Sequence, residues 1–231
     1  MTAHTVPPAL IALALEPAPA AWLGDALAAP PLPGTPAFLR LFAMAGRLSP
    51  AVPPPDSAQA HALRAAGIAA PERWPPSRFA RAALLVASVG AAGAEAPDRL
   101  AAAFRTSDTA ERAAILQALP LLPGPARFAE LAADACRSSV QPVFEAVACD
   151  NAFPAAHFAE PAFNQMVLKA VFTGAPLARV VGLAERTTPG LIRMAADFRD
   201  ERRAAGRPVP PDLDLLLDSP GPDSLGLATG R

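Results

Sequence analysis

The second half of the chain carries a helical hydrophobic pattern that recurs several times. Phe128, Leu131, Ala132, Ala135 and Cys136 fall at i, i+3, i+4, i+7 and i+8, which places apolar side chains on one face of a 3.6-residue helix. Val140, Val143, Phe144, Val147 and Ala148 repeat the spacing, and so do Phe163, Met166, Val167, Ala170 and Val171. Ile115, Leu116 and Leu119 precede these runs; Leu191, Met194, Ala195 and Phe198 follow them. No segment alternates with period two between hairpin turns, so the pattern predicts an all-α fold. Short connections rich in Pro and Gly predict antiparallel neighbouring helices. Stacked, they form a single-domain, HEAT/ARM-like α-solenoid with degenerate repeats.

The 29 prolines support this reading through their placement. Pro36, Pro125, Pro161, Pro176 and Pro189 each stand just ahead of an apolar periodic run, in the first-turn position where a missing N–H costs nothing. Thr35 and Thr188 are N-caps for two of them, and Asp108 with Glu111 has capping-box spacing. In the less regular first half, helices are predicted over 8–15, 18–28, 36–47, 57–66 and 76–89, with Pro-rich linkers at 29–34 and 50–56. The division is an irregular Ala/Pro-rich helical part over 1–95, a helical core over 96–210 and a disordered tail over 211–231, where SPGPD follows an extended PVPP.

Charge and composition remove several function classes. A net charge of −1 and a pI near 6.3 argue against nucleic acid and against an anionic membrane surface. The N-terminus lacks the basic flank of a signal peptide, and the longest apolar stretch, 82–94, falls short of the roughly 20 residues that span a bilayer. No transmembrane segment is therefore expected. Cys136 and Cys149 lie on apolar faces and predict buried thiols rather than a disulfide framework, which fits a cytoplasmic location. With His157 they match no zinc spacing, and no G-x-S-x-G, phosphate loop or H-E-x-x-H occurs. No metal and no cofactor is predicted.

One stretch stands against the compositional drift. The chain's single lysine, both asparagines and one of its three histidines lie between Cys149 and Lys169, whereas 19 of the 20 basic residues are arginine and tyrosine is absent. On a helical wheel Leu168 and Phe172 form a second apolar face nearly opposite the first. Gln165 and Lys169 make a narrow polar stripe, and Asn164 sits in the other seam. Such a helix is expected to be buried on two sides, and its lysine to need a carboxylate, with Asp150, Glu145 and Asp197 as candidates. Asp150, Asn151, His157, Asn164, Gln165 and Lys169 are the candidate ligand- or partner-binding residues. The competing reading is architectural: Asn and Gln often tie one helical repeat to the next.

The run 108–210 resembles the EboA family. The resembling pieces are ERAAILQALPLLPGPARF, VFEAVACDNAFPAAHF, FNQMVLKAVFTGAPLARVVGL and RMAADFRDERRAAGRPVP, in that order. Phe153 and Phe163 stand where relatives are expected to carry Tyr and Trp. The resemblance implies a helical-repeat protein. It also implies genes beside a prenyltransferase-like membrane enzyme, TIM-barrel proteins and a dehydroquinate-synthase-like protein, in a system that moves a secondary-metabolite precursor out of the cytoplasm. It implies no chemical step and no catalytic residues. The expected function is a non-catalytic traffic component that binds a small precursor metabolite or partner proteins of its operon through a helical surface. The alternatives are an enzyme using Asp150, His157 and Lys169 as acid/base groups, and a pure scaffold.

Overall fold

Thr35 opens a helix by accepting a hydrogen bond from the Phe38 amide at 3.3 Å, and Thr188 does the same for Leu191 at 3.2 Å. Asp108 and Glu111 close the expected capping box, with reciprocal bonds of 2.8 and 3.0 Å. Asp56 and Gln59 form a second, unpredicted box, at 2.8 and 2.9 Å. Asp56 ends a proline run that reads as a linker, which hides its capping role in the sequence.

The computed structural model describes residues 21–47 and 55–218. The predicted helix over 8–15, the start of the one over 18–28 and most of the 50–56 linker lie outside the described residues. Within them the chain is helical with no strand. The helices are α1 (Ala21–Ala28), α2 (Pro36–Ala45), α3 (Ser57–Ala65), α4 (Pro76–Ala92), α5 (Ala96–Thr106), α6 (Thr109–Ala118), α7 (Ala129–Cys136) and α8 (Gln141–Ala148). They continue with α9 (Phe153–His157), α10 (Glu160–Thr173), α11 (Leu183–Arg186), α12 (Pro189–Ala204) and α13 (Asp214–Leu217). Proline occupies the first turn of α2, α10 and α12 and of the 3₁₀ turn Pro125–Phe128 that leads into α7, as expected. Pro176 instead stands just outside the 3₁₀ turn Leu177–Arg179.

Alternate helices pack in a row: α4 against α6, α6 against α8 and α8 against α10. Helix α5 lies beside α4 and α6, α7 beside α8, and α1 and α2 rest on α4. This explains why the apolar stretch of α4 is nearly continuous. Covered from several sides, it buries every residue from Phe79 to Val86. Phe38, Phe42, Leu84, Leu116, Phe144 and Phe163 are fully buried in the same core, and each such side chain contributes roughly 1.5–3 kcal/mol. Counted through the 3₁₀ turn at Gly93, the helical run Pro76–Thr106 is long and apolar enough by length and composition to cross a membrane, more than the 82–94 stretch alone promised. Of its most apolar window 67% is buried against the other helices. Gly93, at φ 56°, breaks the axis between α4 and α5.

Two expectations need correction. The tail was expected to be disordered from 211, yet 211–217 forms a 3₁₀ turn and α13, because Leu213 and Leu216 are fully buried and the Asp212 carboxylate accepts from the Leu177 amide at 2.9 Å. Residues 219–231 lie outside the described part. Helix α10 is not buried on both apolar faces either. Phe163, Met166, Val167, Ala170 and Val171 are buried, and Leu168 is partly buried against the core, but Phe172 is 64% exposed, with the Phe198 ring 4.4 Å away.

Candidate functional site

Lys169 projects from α10 toward the end of α7. Its Nζ donates to the carbonyl oxygens of Cys136 and Ser138 at 2.6 and 2.7 Å and lies 4.8 Å from the centre of the Phe144 ring. The expected carboxylate partner is absent from this site, and the reason is physical. The last carbonyls of a helix have no intrahelical partner and carry the negative end of its dipole, so they attract an ammonium as a carboxylate would. The candidate acids are otherwise engaged or exposed. Asp150 pairs with Arg73 and Arg179, Glu145 accepts from Gln141, and Asp197 is exposed.

The same device recurs. Arg112 donates Nε and Nη2 to the carbonyls of Phe104 and Arg105 at the end of α5, at 3.0 and 2.9 Å, with its guanidinium 5.4 Å from the Phe104 ring. Arg186 donates to Ala155 and Phe158 around the end of α9 and lies over Phe163. Arg81, almost wholly buried in α4, donates to the Phe42 carbonyl and lies over the Phe42 ring. Burial lowers the Arg81 pKa, and Glu111 at 3.7 Å opposes that. Four cations therefore each hold a chain segment at or near the end of a helix while resting on a phenyl face.

The remaining candidates separate. Asn151 is buried; its Nδ2 donates to the carbonyls of Leu116 and Ala146 at 3.1 and 2.9 Å, and its Oδ1 accepts from the Phe153 amide at 3.0 Å. It staples α6, α8 and α9 together. Asp150, just before it, has φ 51°, the one positive value among described non-glycine residues, and accepts from Arg73 and from both Nε and Nη2 of Arg179. The Asp150 hydrogen bond is the first cause of a raised Arg179 pKa. His157 is half-buried with its ring 4.7 Å from Phe153. Asn164 is 6% exposed, with its Oδ1 bonded to no group among the described residues. Only Gln165 and Lys169 share a cavity, a pocket of about 150 Å³ that Cys136 and Arg137 also line. Burial pushes the Cys136 thiol up to about 12 against the pull of Lys169 and Arg137, which keeps it protonated at neutral pH. Among the described residues no cluster of His, Cys, Asp and Glu could hold a metal.

The larger opening lies elsewhere. A cleft of about 400 Å³ runs between α5 and α7. Phe104, Phe128, Leu131 and Val143 supply apolar surface, while Arg105, Arg112, Arg127, Asp98 and Glu130 bring charge. None of the six candidate residues lines it. Its arginines carry no mark in the sequence, because arginine is the commonest polar residue type in this chain.

The fold and this cleft define a protein that is all-helical among the described residues, with a ligand-sized opening between α5 and α7. The chain belongs to the EboA family: the family's model, described as metabolite traffic protein EboA, matches residues 45–218, beyond both ends of the 108–210 resemblance. Neither a curated protein nor a solved structure matches the chain.

Proposed function

We propose that the protein is a non-catalytic, cytoplasmic component of a secondary-metabolite traffic system, and that it binds a small precursor in the cleft between α5 and α7. The observation that carries this reading is the cleft itself. Its volume of about 400 Å³ falls within the roughly 300–1,000 Å³ typical of small-molecule sites. It also lies wholly inside the span matched by a metabolite-traffic family. The row α4–α6–α8–α10, with α5 and α7 beside it, supports a helical-repeat scaffold, a form suited to presenting grooves between successive repeats. The acid/base alternative loses its basis. Asp150 is held by two guanidinium groups and Lys169 by two carbonyls, and neither they nor His157 reach the cleft.

Ala101→Trp tests the proposal, because Ala101 is a half-buried residue on the α5 wall and an indole there fills the cleft without entering the core. The full-length chain, dialysed against an extract of its producing cells, should retain a small molecule detectable by mass spectrometry. The folded variant should lose it. Equal retention by both, or by neither, rejects the site.

A further inference from the structure

We infer that the α5–α7 cleft selects a small apolar carboxylic acid, with its carboxylate between Arg105 and Arg112 and its apolar body along Leu131 and Val143. This rests on the small-molecule reading above and adds the chemical class. Arg127, just ahead of α7, donates to the carbonyls of Gly93 and Ala94, just ahead of α5, so both helices begin at the same end of the cleft. That end carries Asp98 and Glu130, neither of which forms an ion pair among the described residues. The opposite end carries Arg105 and Arg112, also without an ion pair there. Asp134, which also lines the cleft, is bonded to Arg137.

Arg112 is the informative residue. Its Nε and Nη2 are committed to the Phe104 and Arg105 carbonyls, which fixes the guanidinium plane, and its Nη1 has no acceptor among the described residues. A half-buried guanidinium already held in place binds an anion with little further loss of freedom, and a carboxylate matches its geometry. The apolar floor between the two ends accepts a hydrocarbon or aromatic body. The acidic far end works against a second negative charge, so a singly charged acid is favoured over a phosphorylated compound of the same skeleton.

The experiment titrates the full-length chain by calorimetry with 2-naphthoate, neutral 2-naphthamide and 2-naphthyl phosphate. Naphthoate should bind at least tenfold more tightly than either analogue. Arg105→Glu, which leaves the Arg112 bonds to the α5 carbonyls in place, should weaken naphthoate at least tenfold without moving the thermal midpoint. Equal affinity for acid and amide, or indifference to Arg105→Glu, overturns the carboxylate assignment and leaves the small-molecule reading standing. Failure of all three probes also overturns it, and the retention measured with Ala101→Trp then judges the broader reading separately.

Discussion

Lys169 Nζ stands 2.7 Å from the Ser138 carbonyl oxygen, and that bond with its companion to Cys136 ties the end of α7 to the middle of α10. The bond spans 31 residues of chain, so it is tertiary rather than local. A compact ammonium fits between two carbonyls and a phenyl face, where a planar guanidinium needs a wider slot.

Replacing Lys169 should therefore cost stability rather than activity. Lys169→Met keeps the apolar stem and removes two charge-assisted hydrogen bonds, so a loss of about 2 kcal/mol is expected. Lys169→Arg should cost about 1 kcal/mol by overpacking the slot. Urea unfolding checks both. A Lys169→Met midpoint equal to that of the unaltered protein would remove the cap from the account.

Asn151 should be less replaceable still. Asn151→Ala strands the Leu116 and Ala146 carbonyls and the Phe153 amide in a buried site, at an expected cost of about 3 kcal/mol. Asn151→Asp should be at least as damaging, because a carboxylate has no N–H to give the two carbonyls and sets a charge against them. Thermal melts of the two variants give the order. If Asp is tolerated better than Ala, the bonding scheme assigned to Asn151 is wrong.

The faces that bury α7, α8 and α10 were legible because helical periodicity is local and each apolar position repeats within a turn or two. Caps at Thr35, Asp108 and Thr188 were legible for the same reason. The Lys169 partner was not, since every residue has a carbonyl and nothing in the sequence marks which ones lack a partner. The cleft was not either. It depends on the gap between α5 and α7, which lie some 30 residues apart, and its Arg105 and Arg112 are two arginines among 19. Rarity pointed to Asn151 and Lys169, and both hold helices together.

Alkaline pH offers a test of burial. Cys149 is fully buried, and desolvation pushes its thiol from 9.0 up to about 11, with Arg179 pulling the other way and Glu145 and Asp150 reinforcing the rise. Between those values the unfolded chain has released the proton and the folded chain keeps it. The unfolded state binds fewer protons, so stability falls as pH rises, by about 1 kcal/mol from pH 9 to pH 10 for this group. Cys136, raised to about 12, adds in the same direction. Unfolding free energies at pH 8.5, 9.5 and 10 should drop less steeply for Cys149→Ala. Parallel slopes would contradict a buried neutral thiol.

The two arginines on Asp150 should differ sharply in worth. The Arg73 side chain is 53% exposed and offers one nitrogen at 3.0 Å, whereas Arg179 is 32% exposed and donates both Nε and Nη2, at 2.9 and 2.6 Å, to a carboxylate only 12% exposed. Solvent screening leaves an exposed single contact worth little, and Arg73→Ala should cost no more than about 0.5 kcal/mol. Arg179→Ala leaves a largely buried carboxylate short of its main donor, and about 2 kcal/mol is expected. Asp150→Asn separates charge from backbone. Asparagine tolerates the left-handed φ of 51°, so its cost reports the lost charge alone. A double-mutant cycle of Asp150→Asn with each arginine variant should give a coupling at least twice as large for Arg179 as for Arg73. Equal couplings would mean that the exposed arginine, and not the chelating one, anchors the turn after α8.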